Sequence, residues 1–158
     1  MDVDFSLLYN KNVAEAIKNL EELIIDVNNQ LFECGISTKW ERVGAIDGYF
    51  FHVLNPKNKK HKISFGIWND LWAYSGMPLS IGFELRDLKN EQIVSTINSI
   101  IELNKLEDLN VIEYNEIVSI CFSEQFLIST KYANEISNLI LEFIEGFEFA
   151  IEIIRKKW

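Results

Sequence analysis

The chain has 158 residues, 48% hydrophobic and 25% charged, and sets 15 Lys and Arg against 24 Asp and Glu for a net charge of -9. That is the composition of a single globular domain and excludes a disordered chain. The acidic balance argues against nonspecific nucleic-acid binding, which needs a basic footprint to displace counterions, and no apolar run approaches the ~18 residues of a membrane span.

Met1-Asp2-Val3-Asp4 lacks the basic start of a secretory signal, so the chain reads as cytoplasmic, with no membrane partner. Val13, Ile17, Leu20, Ile24, Val27 and Leu31 recur at helical spacing with Glu15, Glu22, Asp26 and Glu33 opposite, which predicts an amphipathic helix. Asn12 followed by Glu15 suits its start, and Gly35 its end, because glycine takes a positive φ at little steric cost. Cys34 follows that helix and Cys121 falls in a predicted strand; two unmatched thiols give neither a disulfide framework nor a metal pair, and both are expected to be reduced.

From Ser37 the pattern shortens to strands at 39–43, 49–54, 62–68 and 79–85, joined by turn chemistry at Asp47-Gly48 and Asn55-Pro56-Lys57-Asn58, as in an antiparallel meander. Lys57, Lys59, Lys60 and Lys62 with His61 read as a solvated hairpin tip. The third and fourth runs alternate, with Ile63, Phe65, Ile67 and Leu79, Ile81, Phe83, Leu85 on one face. Gly66 and Gly82 fall on the other face, where a neighbouring backbone would be able to approach closely. Ile93, Ile97, Ile100 and Ile101 mark a second helix with Asn90 as its cap. Residues 116–122 alternate again, with 126–129 as the expected pairing partner. A last helix is predicted from about Ala133 to Arg155, striped by Ile136, Leu139, Ile140, Phe143, Ile144, Phe147, Ile151 and Ile154. Phe149 and Ile153 then stack among Glu135, Glu142, Glu145, Glu148 and Glu152, a candidate partner or homodimer contact, or else the mark of a sheet curling round a mostly buried helix. The expectation is one α+β domain over residues 1–158, ordered α-β-β-β-β-α-β-β-α. Its antiparallel sheet of five to six strands packs against the N-terminal and C-terminal helices.

Few residues speak for catalysis. His52, His61, Cys34 and Cys121 show no metal-ligand spacing, Ser75-Gly76 sits in no nucleophile elbow, and no glycine-rich phosphate loop is present. No catalytic residue, metal or cofactor is therefore assigned. Asp70 followed by Glu84-Leu85-Arg86 imitates a PD-(D/E)xK nuclease, but Arg86 stands where a lysine is expected and no proline precedes Asp70. What remains is Trp68, Trp72 and Tyr74 around Asp70 in the connection between the third and fourth strands. Trp68 continues a strand and reads as sheet packing, whereas Trp72 and Tyr74 read as interface anchors, large rings with little entropy to lose.

The run FGIWNDLWAYSGMPLSIGFE at residues 65–84, with FGIW, a Trp four residues on and G-x-P-L before the next strand, is similar to segments of uncharacterised bacterial and phage proteins linked to PD-(D/E)xK-type defence nucleases. The resemblance implies an accessory or recognition domain and transfers no catalytic residue. The element order also resembles that of secretion-chaperone-like proteins, which are small, acidic and bind proteins, a likeness of fold alone. The favoured expectation is a noncatalytic acidic protein-binding module, an inhibitor, immunity or counter-defence factor of bacterial or phage origin. Its partner would be another protein of basic character, held by Asp70, Trp72, Tyr74, Met77, Phe149 and Ile153. A metal-dependent nuclease using Asp70 and Glu84, and a small-ligand sensor with an aromatic pocket, stand as alternatives.

Overall fold

A computed structural model describes residues 11–41, 48–104, 109–123 and 132–154. Its elements are α1 (Lys11–Glu33), β1 (Thr38–Glu41), β2 (Gly48–Asn55), β3 (Asn58–Trp68), α2 (Asn69–Ser75), β4 (Leu79–Leu85), α3 (Asn90–Leu103), β5 (Leu109–Tyr114), β6 (Ile117–Phe122) and α4 (Ala133–Gly146). The six strands form one antiparallel sheet in the order β1-β2-β3-β4-β6-β5. This is the α+β architecture expected, with a short helix added between β3 and β4. No helix among the described residues is long and apolar enough to cross a membrane.

Strand alternation separates the sheet into two unlike faces. Across it, Phe51, Phe65, Ile81 and Ile120 are successive register partners on one face. One residue along, His52, Ser64, Gly82 and Ser119 are partners on the other. The first face meets α1 through Leu20, Leu23, Ile24, Val27 and Leu31, α3 through Ile93 and Ile97, and α4 through Ile136, Ile140, Phe143 and Ile144. α1 and α4 also pack on each other. Each fully buried side chain of this size contributes roughly 1.5–3 kcal/mol by leaving water, so this layer carries the fold.

At α1, Ile36 N–H donates to Leu31 O (3.0 Å) and Gly35 N–H to Phe32 O (3.0 Å), a Schellman ending with Gly35 at φ 85°. At α4, Phe149 N–H donates to Ile144 O (2.9 Å) and Glu148 N–H to Glu145 O (3.0 Å), the same ending with Glu148 at φ 57°. The helix expected to reach Arg155 therefore stops at Gly146, and Ile151 and Ile154 continue no stripe. The chain runs on without regular structure, and Ile154 N–H donates to Cys34 O at the end of α1 (2.8 Å).

Other expectations are corrected similarly. The connection after β3 is helical rather than a loop. α3 is capped by Lys89, whose N–H donates to Gln92 Oε1 (3.0 Å), while Asn90 lies inside the helix and reaches Glu116 O (3.4 Å). β6 pairs with β5, which precedes it; the expected partner at 126–129 lies outside the described residues, as do 42–43 at the end of the first predicted strand. His61 is half-buried beside Asp87, with Nε2 3.4 Å from Oδ2, rather than facing solvent.

Candidate functional site

The short helix α2 distributes the aromatic residues that stand out in the sequence. Asp70 in its first turn complements the helix dipole. At its end Gly76 takes φ 77° and donates its N–H to Trp72 O (2.8 Å). Ser75 Oγ accepts from Met77 N–H (3.0 Å), which fixes the exit toward Pro78. Leu71 anchors the helix, buried yet outside the main core cluster. From this anchor Trp72 turns toward α1 and, with Trp40, Tyr49, Ile25 and Ile67, lines a groove of about 720 Å³. Tyr74 turns the other way, 63% exposed, its ring 4.8 Å from that of Tyr114 on edge strand β5, and Trp68 approaches Tyr114 at 5.7 Å.

Of the residues singled out in the sequence, the structure thus groups Asp70, Trp72, Tyr74 and Met77 on α2 and its exit. Asp70 is exposed, and Met77 is half-buried with Sδ 3.4 Å from Asn110 Nδ2. Phe149 and Ile153 do not join an acidic helical face, because α4 has already ended. Phe149, 6% exposed, occupies the residue after Glu148 in the Schellman ending and packs into the core, and Ile153 packs half-buried against the same cluster.

The sheet face opposite the three long helices holds a second feature, which the sequence reading missed. Phe50, Trp68 and Ile117 wall a recess of about 240 Å³ whose other lining includes Ser64, Ser80 and Gly82. Gly82 matters by its lack of bulk: an added Cβ would meet nothing nearer than Ser119 Oγ at 3.7 Å. Gly66 is there for its backbone, since at φ 145° a Cβ would lie 2.3 Å from Tyr49 O.

At one end of the recess runs a chain of polar contacts. Ser64 Oγ lies 2.5 Å from His52 Nδ1, and His52 Nε2 lies 3.1 Å from Glu41 Oε1. His52 is only 5% exposed. Burial, and then the charge of Lys62, hold its pKa below the ordinary 6.5 against the pull of Glu41, so the ring is neutral at pH 7. Because a carboxylate only accepts, Nε2 carries the proton and Nδ1 is left to accept from the Ser64 hydroxyl. Beside it, Lys62 Nζ sits 3.0 Å from Glu84 Oε2, and Arg86 reaches Glu84 Oε1 at 3.2 Å. Burial pushes Glu84 upward, but the hydrogen bonds and charges of Lys62 and Arg86 outweigh it and hold the carboxyl below its ordinary range. The carboxylate that the nuclease alternative assigns to a metal is thus engaged by two cations. Among the described residues no group of three His, Cys, Asp or Glu side chains is placed to hold a metal ion. Ser119 Oγ, fully buried next to the recess, has no hydrogen-bond partner.

Comparison with protein families, with curated proteins and with solved structures finds no match to this chain.

Proposed function

We propose that the chain is an acidic protein-binding module, an inhibitor, immunity or counter-defence factor of bacterial or phage origin that acts in the cytoplasm. It grips a basic protein partner through α2 without chemistry on that partner. One observation carries the reading: Tyr74 is held 63% exposed on a helix anchored by the buried Leu71 and braced against Tyr114, with the exposed Asp70 one turn away. A large ring already fixed in place loses little entropy on binding, and such rings dominate interface energetics. The net charge of -9 would speed encounter with a basic partner.

The test begins with affinity purification from the source cell and identification of the retained protein, followed by measurement of its Kd. Tyr74→Ala is expected to weaken binding by about 2 kcal/mol, roughly thirtyfold, while loss of the Tyr114 ring contact lowers the melting temperature by no more than about 5 °C. Asp70→Lys should slow association with a basic partner more than it speeds dissociation. A partner that binds both variants as tightly as the parent rejects this surface.

A further inference from the structure

We propose that Ser64 is a nucleophile activated by His52 and positioned through Glu41, and that the recess hydrolyses small uncharged carboxylic esters. Three adjacent strands supply the parts: Glu41 from β1, His52 from β2 and Ser64 from β3, so that sheet hydrogen bonding rather than a loop fixes their spacing. The hydrogen-bond chain is continuous at 2.5 Å and 3.1 Å. Its polarity is right for base catalysis, with the bare Nδ1 toward the hydroxyl and the protonated Nε2 toward the carboxylate. Ser64 is half-buried and lines the recess, the space through which a carbonyl would approach it.

The recess also sets the substrate. Its volume of about 240 Å³ admits a short acyl chain, which Phe50, Trp68 and Ile117 would hold by apolar contact. Lys62, the one cation among its described lining residues, stands two positions before Ser64 on the same face, where it can balance charge developing on the carbonyl oxygen. In the first step Ser64 Oγ bonds to the carbonyl carbon while His52 Nδ1 takes the hydroxyl proton. The tetrahedral species then breaks its bond to the alcohol oxygen, which leaves with that proton. Water next attacks the acyl group on Ser64, giving a proton to His52. The ester bond to Ser64 breaks, the carboxylic acid departs, and the proton returns to Ser64. The sum is ester plus water to acid plus alcohol, with no change of oxidation state.

The protein would be treated with a fluorophosphonate and mapped by mass spectrometry, and its hydrolysis of p-nitrophenyl acetate and butyrate followed from pH 5 to pH 9. The expected result is one adduct, on Ser64, together with ester hydrolysis that Ser64→Ala abolishes and His52→Gln lowers about a hundredfold or more. Glu41→Gln tests positioning by a separate readout. The charged groups facing His52 are Glu41 and Lys39 from β1, Lys62 from β3 and Glu84 from β4. Removing the Glu41 charge, which raises the pKa of His52, should move the midpoint of the rising pH-rate curve to lower pH. No adduct on Ser64, an adduct whose rate ignores His52→Gln, or hydrolysis that survives Ser64→Ala would each overturn the proposal. Ser64→Ala removes a single oxygen and serves as the decisive variant if His52→Gln loosens the fold. The Tyr74 binding measurement is independent of all these outcomes.

Discussion

One face of the sheet lays Phe51, Phe65, Phe83 and Ile120 against three long helices; the other presents His52, Ser64, Gly82 and Ser119, with the seven-residue α2 packed near Cys121 on that side. Both arise from the same strands, whose side chains alternate. Volume decides stability on the first face, where a lost ring leaves a hole that the packed neighbours cannot fill. On the second, small side chains leave room, and a few polar groups with fixed partners do what bulk does elsewhere. A fold that places its hydrophobic core on one side is free to vary the other.

The contrast is broken most severely by Phe83→Ala. That ring lies 4.9 Å from Phe143 and 5.5 Å from Phe147 and is buried, so its removal should cost about 3–5 kcal/mol in denaturant titration. A paired substitution on the other face sharpens it. Gly66→Ala forces a Cβ against Tyr49 O at positive φ and should cost about 2 kcal/mol, whereas Gly82→Ala meets only ordinary contacts and should stay within about 0.5 kcal/mol. Equal losses for the two glycines would show that this face is packed as tightly as the core.

The smallest effect is in pH. His52 has its folded pKa below the ordinary 6.5, so the unfolded chain binds the proton more readily. Its contribution is present above pH 6.5 and is lost as pH falls from there through the folded pKa. His52→Gln should flatten melting temperature against pH in that window. Glu84, also depressed but from an ordinary 4.5, acts at lower pH and should leave the window unaffected.

Much of this architecture is legible in the residues, and its failures have local causes. Gly35 marks the end of α1 because glycine is the usual residue at positive φ; Glu148 hides the end of α4 because the same backbone turn is made there by a residue that gives no sign of it. The apolar period from Ile136 to Phe147 continues in the sequence through Ile151 and Ile154, so the apolar residues after the turn imitate more helix. α2 is too short for a periodic pattern, although its aromatic residues are conspicuous. The recess was beyond reach for a different reason. A hairpin paired without interruption from Asn55 and Asn58 would set His61 opposite His52; the register shift between Leu54 and Asn55 brings Ser64 there instead. One irregularity in a ladder thus selects which side chains meet, and alternation alone does not disclose it.

The two cysteines fall on either side of this divide. Cys34 is sealed in the helix-covered core at the end of α1; Cys121 is equally buried but belongs to the other face, close to α2, with its thiol pKa raised by burial against a weaker pull from the Ser75 side chain. Neither sulfur can react until its own cover lifts. The chain therefore carries two internal clocks, one timing the opening of the helical layer and the other the lifting of the short helix, and a thiol reagent can read each without adding a label to the molecule.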